Sequence, residues 1–232
     1  MSPPLTARLE VAPIEADTSL KGRIYDRLKQ AITTMNIYAE NAELRLDERQ
    51  LALKLATSRT PIREALARLE QEGLIQIAPR KGVFIVRKGK AEILEMIMVW
   101  AALESMAARL VTENASDAEI AELRQLFTTF KNGQVQAKID EYSDANVRFH
   151  QAILTLSKCR LLREMADHLF VHMRSIRMRT IGENNRANRS IIDHLHIIEA
   201  IESRDADLAE RLAREHTLNL ANHVRNNVHY LD

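Results

Sequence analysis

The first third of the chain places apolar side chains at helical spacing in short segments separated by polar turns. Between Leu20 and about Met35, apolar residues recur every three or four positions, which predicts one amphipathic helix. A second predicted helix covers about 48–55, and the carboxylate of Asp47 is placed to cap its first turn. Helical spacing then resumes within a few residues, so a third helix follows.

The third predicted helix has a marked start and end. Ser58 stands at the capping position, Pro61 lies in the first turn, where a missing N–H costs nothing, and Gly73 ends the helix. Two strand-like runs follow, over 74–78 and 83–87, and a basic turn joins them. Helix, helix, turn, helix and hairpin predict a winged helix-turn-helix.

The remainder of the chain predicts helices alone. No proline occurs after Gly89, and long stretches keep helical spacing. The predicted helices span 91–113, 117–133, 137–157, 160–181, 187–203 and 205–229. The expected fold class is mainly α: a winged helix-turn-helix with a small β-hairpin wing, then an all-α bundle of about six helices. The expected division is a tail (1–19), the winged helix-turn-helix domain (20–87), a linker (88–90) and the all-helical domain (91–232).

Charge separates the same two parts. The 232 residues carry a net charge of only +1, but residues 1–90 carry +5 and residues 91–232 carry −4. A basic first part favours a nucleic-acid partner. The sequence contains neither an apolar run of membrane-spanning length nor a signal-peptide pattern, and its single cysteine has no disulfide partner. We therefore expect a cytoplasmic protein without a membrane partner.

The start of the third helix carries the residues that DNA recognition needs. Arg63 is turned about 100° away from the inward-facing Ile62, and Arg59 lies one turn earlier. With the hydroxyls of Ser58 and Thr60, this end offers guanidinium groups, hydroxyls and free backbone N–H groups to bases or phosphates. We interpret it as a recognition helix.

The run RLDERQLALKLATSRTPIREALARLEQEGLIQIAPRKGVFIV resembles the winged-helix domain of GntR-type bacterial transcription regulators. The part after it resembles the FCD-type ligand domain of the FadR group, and six helices resemble its VanR-type subdivision most. Two pairs depart from the family pattern: Ala56-Thr57 replaces a glycine and an aliphatic residue, and Ala42-Glu43 replaces Pro-Gly. The resemblance makes 20–87 the DNA-binding domain and 91–232 the effector-binding and dimerisation domain. It implies a homodimer on a palindromic operator, with repression relieved by a ligand. It also implies DNA contacts at Arg49, Ser58, Arg59, Thr60, Arg63, Lys81 and Gly82.

Three of the eight histidines lie on separate predicted helices. A point shared by His150, His194 and His216 would suit zinc or another borderline divalent ion. Spacing does not establish that they meet, but the resemblance suggests it, because many FadR-group domains hold a metal with one aspartate and three histidines. Asn146 occupies the aspartate position here, so the expected site, zinc being the first choice, has one negative charge fewer.

The expected effector is a small carboxylate, with a flat or aromatic part. Where the family often has an arginine, this chain has Trp100, which either lines a pocket or packs in the core. His172 lies on the inward side of its helix, and Arg174 and Arg177 on one face nearby are candidate carboxylate partners or else solvated surface arginines.

Two other functional classes stay open at this point. Three histidines with an open coordination position could serve a metal-dependent hydrolase, but the sequence has no HExxH pair, phosphate loop or nucleophile elbow, so we expect no enzyme. Alternatively, Asn146 marks a lost site, and the helical domain dimerises a DNA-binding regulator without sensing a metal or a small molecule.

Overall fold

The structure is a computed structural model, and it describes residues 20–130, 135 and 138–231. The predicted tail, 1–19, lies outside the described residues. In chain order the elements are α1 (Leu20–Thr34), β1 (Arg45–Leu46), α2 (Glu48–Lys54), α3 (Arg59–Gln71), β2 (Ile75–Ala78), β3 (Gly82–Ile85), α4 (Lys90–Asn114), α5 (Asp117–Gln125), α6 (Ile139–Leu156), α7 (Arg160–Thr180), α8 (Arg186–Glu202) and α9 (Ala206–Asn227). One-turn 3₁₀ helices cover Thr128–Phe130 and Glu183–Asn185.

Three helices and a small sheet form the N-terminal winged helix-turn-helix. The core side of α3 buries Ile62, Leu66 and Leu69 in the same cluster as Ile24 and Leu28 of α1. This burial follows the predicted three- and four-residue spacing. Removing these side chains from water is the main stabilisation of the domain, at about 25 cal/mol per Å² of apolar surface.

Both predicted capping residues lie at helix N-termini, but only Asp47 forms capping hydrogen bonds. The Asp47 carboxylate accepts hydrogen bonds from the backbone N–H groups of Arg49 and Gln50, at 2.8 and 3.0 Å. Ser58 occupies the N-cap position of α3, yet its hydroxyl makes no capping hydrogen bond. The first N–H groups of α3 therefore receive no acceptor from the Ser58 side chain.

The predicted hairpin is present as β2 and β3, and the short strand β1 pairs with β3, so the wing is an antiparallel three-stranded sheet in the order β1-β3-β2. The missed strand, Arg45–Leu46, has only two residues and so shows no alternation along the sequence. The last strand begins at Gly82 and ends at Ile85, two residues before the predicted end.

The C-terminal part contains six α-helices within the described residues, as the sequence predicts. The longest, α4, packs along α9, and α6, α7 and α8 surround them. Helix α5 is shorter than predicted: it ends at Gln125 rather than 133, and a 3₁₀ turn follows. Its start matches the prediction because Ser116 and Glu119 form a reciprocal capping box. No helix in the described part of the chain is long and apolar enough to cross a bilayer.

Helix α7 also contacts the winged domain. The Arg174 side chain donates to the carbonyl oxygen of Thr34 at the end of α1, at 3.0 Å, and Arg179 donates to that of Tyr38. The backbone N–H of Lys88 donates to the Tyr38 hydroxyl at 3.1 Å, and that of Lys90 donates to Leu231 O at 3.2 Å. Hydrogen bonds from backbone N–H groups thus hold both ends of the segment 88–90, which joins the two parts.

Candidate functional site

The N-terminal end of α3 is open to solvent. Arg49, Ser58, Arg59 and Thr60 are all exposed, and no described residue pairs with the Arg59 guanidinium. The free N–H groups of the first helical turn lie at the same end, where the helix dipole is positive. This end combines exposed positive charge, hydroxyl groups and oriented N–H donors.

Arg63 differs from Arg59 because it has a partner inside the protein. Its Nε donates to Glu48 Oε2 of α2 at 2.8 Å, although 61% of the Arg63 side chain stays exposed. A pair this exposed contributes at most about 1 kcal/mol. It orients the guanidinium and at the same time places a carboxylate beside the predicted DNA contact.

The wing tip adds further positive charge. Lys81 is exposed at the turn between β2 and β3. Gly82 follows with a φ of +119°, which side chains other than glycine rarely adopt, and a Cβ there would meet Arg45 Nε at 3.4 Å. The turn therefore uses glycine for its backbone geometry and lysine for its exposed charge.

The three histidines predicted as metal ligands do meet. One ring nitrogen from each of His150, His194 and His216 lies within 4.8 Å of the others, and all three residues are buried. His194 Nε2 and His216 Nε2 are 3.1 Å apart. Helices α6, α8 and α9 supply one histidine each, so the cluster exists only when the bundle is folded.

Each Nδ1 atom in this cluster has its own partner outside it. His150 Nδ1 bonds to a Glu104 carboxylate oxygen, His216 Nδ1 to Asp193 Oδ2 at 3.1 Å, and His194 Nδ1 to the Tyr142 hydroxyl at 3.2 Å. Such partners fix the ring orientation and direct Nε2 inward, which is the arrangement of a histidine metal ligand.

Burial keeps these imidazoles neutral. It lowers the pKa of His150 to about 3, aided by the charge of Arg177, and it lowers the pKa of His194 and of His216 as well. Neutral imidazole is the form that coordinates a metal. The cluster is therefore ready to act as a donor set at neutral pH.

A buried ion pair borders the cluster. Glu104 Oε2 accepts a hydrogen bond from Thr217 at 2.6 Å and lies 3.5 Å from Arg177 Nη2. Burial alone would raise the pKa of Glu104, but the hydrogen bonds it accepts from His150 and Thr217 and the charge of Arg177 hold that pKa well below its usual range. Arg177 Nη1 also donates to His150 Nε2 at 2.7 Å. An ion at the cluster would have to displace that hydrogen bond.

The buried atoms without hydrogen-bond partners test whether a metal fits. Among the described residues they are Trp100 Nε1, Ser143 Oγ, Asn146 Oδ1 and Arg177 Nε. Asn146 lies one helical turn before His150 and is 1% exposed. Leaving a buried acceptor unpaired costs about 1–3 kcal/mol, so an unpaired amide oxygen one helical turn from His150 is consistent with a ligand to a divalent ion. The donor set fits, with an amide where a carboxylate would bind more strongly.

The predicted effector residues are only partly brought together. Trp100, Arg174 and Arg177 line one cavity with His150, but its volume is about 10 Å³, which is room for about one water molecule. Trp100 is 1% exposed, and the Arg177 guanidinium carbon lies 6.0 Å from the centre of its ring. Arg177 is thus a buried residue rather than a solvated one.

His172 does not line that cavity. Its Nδ1 lies 2.9 Å from the Tyr38 hydroxyl, in the contact between α7 and the winged domain. Burial, together with the charge of Lys88, lowers the pKa of His172 to about 4, against the opposing effect of Glu92. The structure therefore places His172 at the contact between the two parts and not in a pocket.

Sequence reasoning assigned no role to Glu104, Tyr142, Asp193 or Thr217. A signal for Glu104 exists, because it continues the buried stripe Ile93, Ile97, Trp100 of α4. A carboxylate in such a stripe needs a buried partner. The other three residues give no comparable signal, since their roles depend on which helices become neighbours.

Comparison with known proteins identifies both parts. The model described as "Bacterial regulatory proteins, gntR family" matches residues 20–85, and the FCD domain model matches residues 95–219. The HTH-type transcriptional repressor RspR of Escherichia coli K12 is 24% identical over 78% of this chain and 79% of its own length. The Nta operon transcriptional regulator of Aminobacter aminovorans is 32% identical over 70% of this chain and 76% of its own.

A solved structure gives the same result. Escherichia coli McbR/YncC superposes with a TM-score of 0.73 at 26% identity, covering 91% of this chain and 99% of that one. The relatives are named as transcriptional regulators, which confirms the prediction that the chain is not an enzyme. A GntR-type regulator from Rhodococcus, at 17% identity and a TM-score of 0.70, shares the fold.

Proposed function

Since this chain belongs to the GntR family of bacterial regulatory proteins and carries an FCD domain, we propose that it is a cytoplasmic repressor that binds a palindromic operator as a homodimer and releases it when a small organic acid binds. The observation that carries the proposal is the exposed Arg59 at the open end of α3, whose guanidinium pairs with none of the residues that the structure describes. The proposed division keeps the DNA-binding domain at 20–87, a linker at 88–90 and the ligand domain from 91.

In the proposed complex, α3 enters the major groove. Arg59 and Arg63 contact base edges or phosphates, and Arg49, Ser58 and Thr60 bond to the backbone of the duplex. The wing residues Lys81 and Gly82 approach the neighbouring phosphates. Glu48 has to release Arg63, or share it, when DNA binds.

The Arg59→Ala variant tests this proposal. The DNA is a duplex selected from a random library by the wild-type, full-length protein. We expect the affinity to fall at least about tenfold, because a bidentate arginine contact contributes about 1–3 kcal/mol. The slope of log affinity against log salt should become shallower. Arg211→Ala, an exposed arginine on α9, is the matched control. Equal affinity of all three proteins would refute the proposed DNA interface.

A homodimer is supported by apolar side chains that remain exposed on two helices packed against each other. These are Met98, Val99 and Met106 of α4 and Leu161 and Met165 of α7, each at least 43% exposed. An apolar surface of this kind usually marks an interface. A second copy of the chain is the occupant that a two-fold palindromic operator requires.

We assign the proposed metal, zinc by preference, to Asn146, His150, His194 and His216. When bound, the ion supplies a Lewis-acidic centre that attracts an anionic ligand. The chain's own residues prepare this site: Glu104, Asp193 and Tyr142 hold the three Nδ1 atoms outward. The proposed effector residues are Trp100, Arg174 and Arg177, and the cavity of about 10 Å³ that they line must enlarge before a carboxylate enters it. His172 is left out of this set, because it contacts Tyr38 of the winged domain.

Asn146→Asp tests the metal assignment. The added carboxylate should raise zinc affinity at least about tenfold, or 1.4 kcal/mol, in a competition titration against a chromogenic chelator. Asn41→Asp adds the same charge at an exposed position outside the helical domain and should change nothing. If Asn146→Asp and His194→Gln both leave zinc affinity unchanged, the histidine cluster is not the metal site.

Regulation requires that the ligand prefer one arrangement of the two domains. Helix α7 is suited to transmit such a preference, because it contributes Arg177 to the cluster and Arg174 and Arg179 to the winged domain. A displacement of α7 along its axis would alter both contacts together.

A further inference from the structure

A groove between α8 and α9 has the properties of a ligand site. Apart from His216 and Asp193, which belong to the histidine cluster and its hydrogen bonds, its lining residues have no part in the functions above. Its volume is about 430 Å³, against about 10 Å³ for the cavity beside Trp100. Cavities of about 300–1,000 Å³ are typical of small-molecule sites. The side chains that line it are mostly polar, among them Arg186, Arg189, Asp193, His216 and Asn219.

The unusual feature of this groove is a buried positive charge without a counter-ion. Arg186 is 8% exposed, and its guanidinium donates a hydrogen bond to the Thr180 hydroxyl. Within the described residues, no carboxylate lies within ion-pair distance of it. Burial and the charge of Arg177 lower the pKa of Arg186 to about 10, and the nearby Glu183 offsets this only partly. A guanidinium kept charged and nearly buried calls for an anionic partner.

The acidic groups near the groove have other partners. Asp193 accepts from His216 Nδ1 at 3.1 Å and bonds to Asn219, and Glu183 pairs with His223 Nε2 at 2.7 Å. Arg189, exposed at the rim, donates to the carbonyl oxygen of Asn184 at 3.0 Å. The groove thus keeps an excess of positive charge around Arg186.

The opposite wall indicates what else the ligand carries. Asn219, Asn222 and Asn226 line the groove from α9 at intervals of three and four residues, which places their amides along one side of the helix. Each amide offers both donors and an acceptor. They suit hydroxyl groups on a small molecule whose charged end lies at Arg186.

We propose that the α8–α9 groove is an anion-binding site for a small hydroxy-carboxylate, held by Arg186 and Arg189 at its carboxylate and by the α9 asparagines at its hydroxyl groups. The site is separate from the effector pocket assigned above, and binding to it requires neither DNA nor a metal ion. It adjoins the histidine cluster through His216, whose Nδ1 bonds to Asp193 in the groove and whose Nε2 belongs to the cluster.

The test is isothermal titration of the full-length protein, freed of metal with a chelator and dialysed, with malate and separately with inorganic phosphate. We expect malate to bind with a dissociation constant below about 1 mM and more tightly than phosphate, since phosphate shares the oxyanion but lacks the carbon-bound hydroxyl. Arg186→Met should weaken malate at least about tenfold, because a charge-assisted bidentate contact is lost.

Controls separate this site from other arginines and from misfolding. Arg189→Met, an exposed position, should also weaken binding, whereas Arg163→Met on the outside of α7 should not. If Arg186→Met fails to fold, Arg189→Met and Arg186→Lys decide the matter. Binding that is lost in Arg174→Met but kept in Arg186→Met would place the anion beside Trp100 and overturn the proposal. Absence of malate binding, or a preference for phosphate, would overturn it as well.

Discussion

The open end of α3 and the histidine cluster differ in whether their charged groups are paired within the protein. At the end of α3, Arg59 is exposed and unpaired among the described residues, and its neighbours come from one short stretch of sequence. In the cluster, Glu104 and Arg177 are 2% exposed, every histidine has a partner, and the pKa values of all three histidines are lowered. One region keeps its charges available for a partner, and the other compensates them internally.

This difference separates function from stability in the two regions. An exposed charge contributes little to folding, so its loss should affect binding alone. A buried charge depends on its counter-charge, so its loss should affect folding first. Substitutions that change the DNA specificity of the winged domain should therefore cost little folding stability. In the cluster, replacing one residue should destabilise the fold unless its partners change as well.

Glu104→Gln should give the largest effect, a loss of about 3 kcal/mol in the free energy of unfolding, because it leaves the Arg177 guanidinium buried without a counter-ion. Urea unfolding in the presence of a chelator, followed by the fluorescence of Trp100, the only tryptophan, measures it. Glu122→Gln, an exposed position on α5, is the matched control, and Arg59→Ala should also stay within about 0.5 kcal/mol of wild type.

If Glu104→Gln unfolds within 0.5 kcal/mol of the control, the buried pair does not stabilise the bundle. The two regions would then differ in exposure but not in their dependence on charge pairing.

The same contrast explains what the sequence could predict. The start of α3 is defined by consecutive residues, so Ser58, Arg59 and Pro61 could be assigned from local rules alone. The six helices of the second domain follow from spacing, apart from the early end of α5. The convergence of His150, His194 and His216 could be suggested only through resemblance, because it depends on how α6, α8 and α9 pack.

His172 shows the limit of a reading based on helical faces. The spacing indicates an inward side chain, and it is buried, but it faces Tyr38 of the winged domain rather than a pocket. The sequence pattern gives the face of a helix and not the identity of the neighbour on it. For the same reason the groove at Arg186, with its own arginine and asparagines, could not be foreseen.

His172 should make the contact between the domains sensitive to pH. It is neutral in the fold, with a pKa of about 4, whereas an unfolded histidine has a pKa of about 6.5. The unfolded state therefore binds the extra proton, and stability that is present above pH 6.5 is lost as the pH falls toward 4. Between pH 7 and pH 5 the loss from this residue is about 2 kcal/mol.

His172→Gln isolates that contribution, since glutamine can still bond to the Tyr38 hydroxyl but does not titrate. The groups facing His172 are Tyr38, Lys88 and Glu92, and they are unchanged in the variant. The free energies of unfolding from urea titrations at pH 7 and pH 5 should differ less in the variant than in wild type, by about 2 kcal/mol. Equal pH dependence in the two proteins would mean that other histidines cause the loss of stability. Among the buried titrating groups, only those of the histidine cluster would then remain as its source.

The smallest expected effect concerns the turn that presents the recognition helix. Ala56, between α2 and α3, has a φ of +49°, a left-handed conformation that costs an L-residue about 1–2 kcal/mol and glycine almost nothing. Ala56 occupies the position at which the GntR-type pattern has glycine.

Ala56→Gly should therefore raise the free energy of unfolding of the winged domain by about 0.5–1 kcal/mol, once the larger backbone entropy of unfolded glycine is subtracted. Ala67→Gly, exposed within α3, should instead lower it by about 1 kcal/mol. Thermal unfolding followed by circular dichroism compares them, and a loss of stability in both would show that the turn holds Ala56 without strain. A gain in stability confined to Ala56→Gly, with unchanged DNA affinity, would show that the backbone of the exposed region also affects folding stability. That contribution would be separate from the charges that bind DNA.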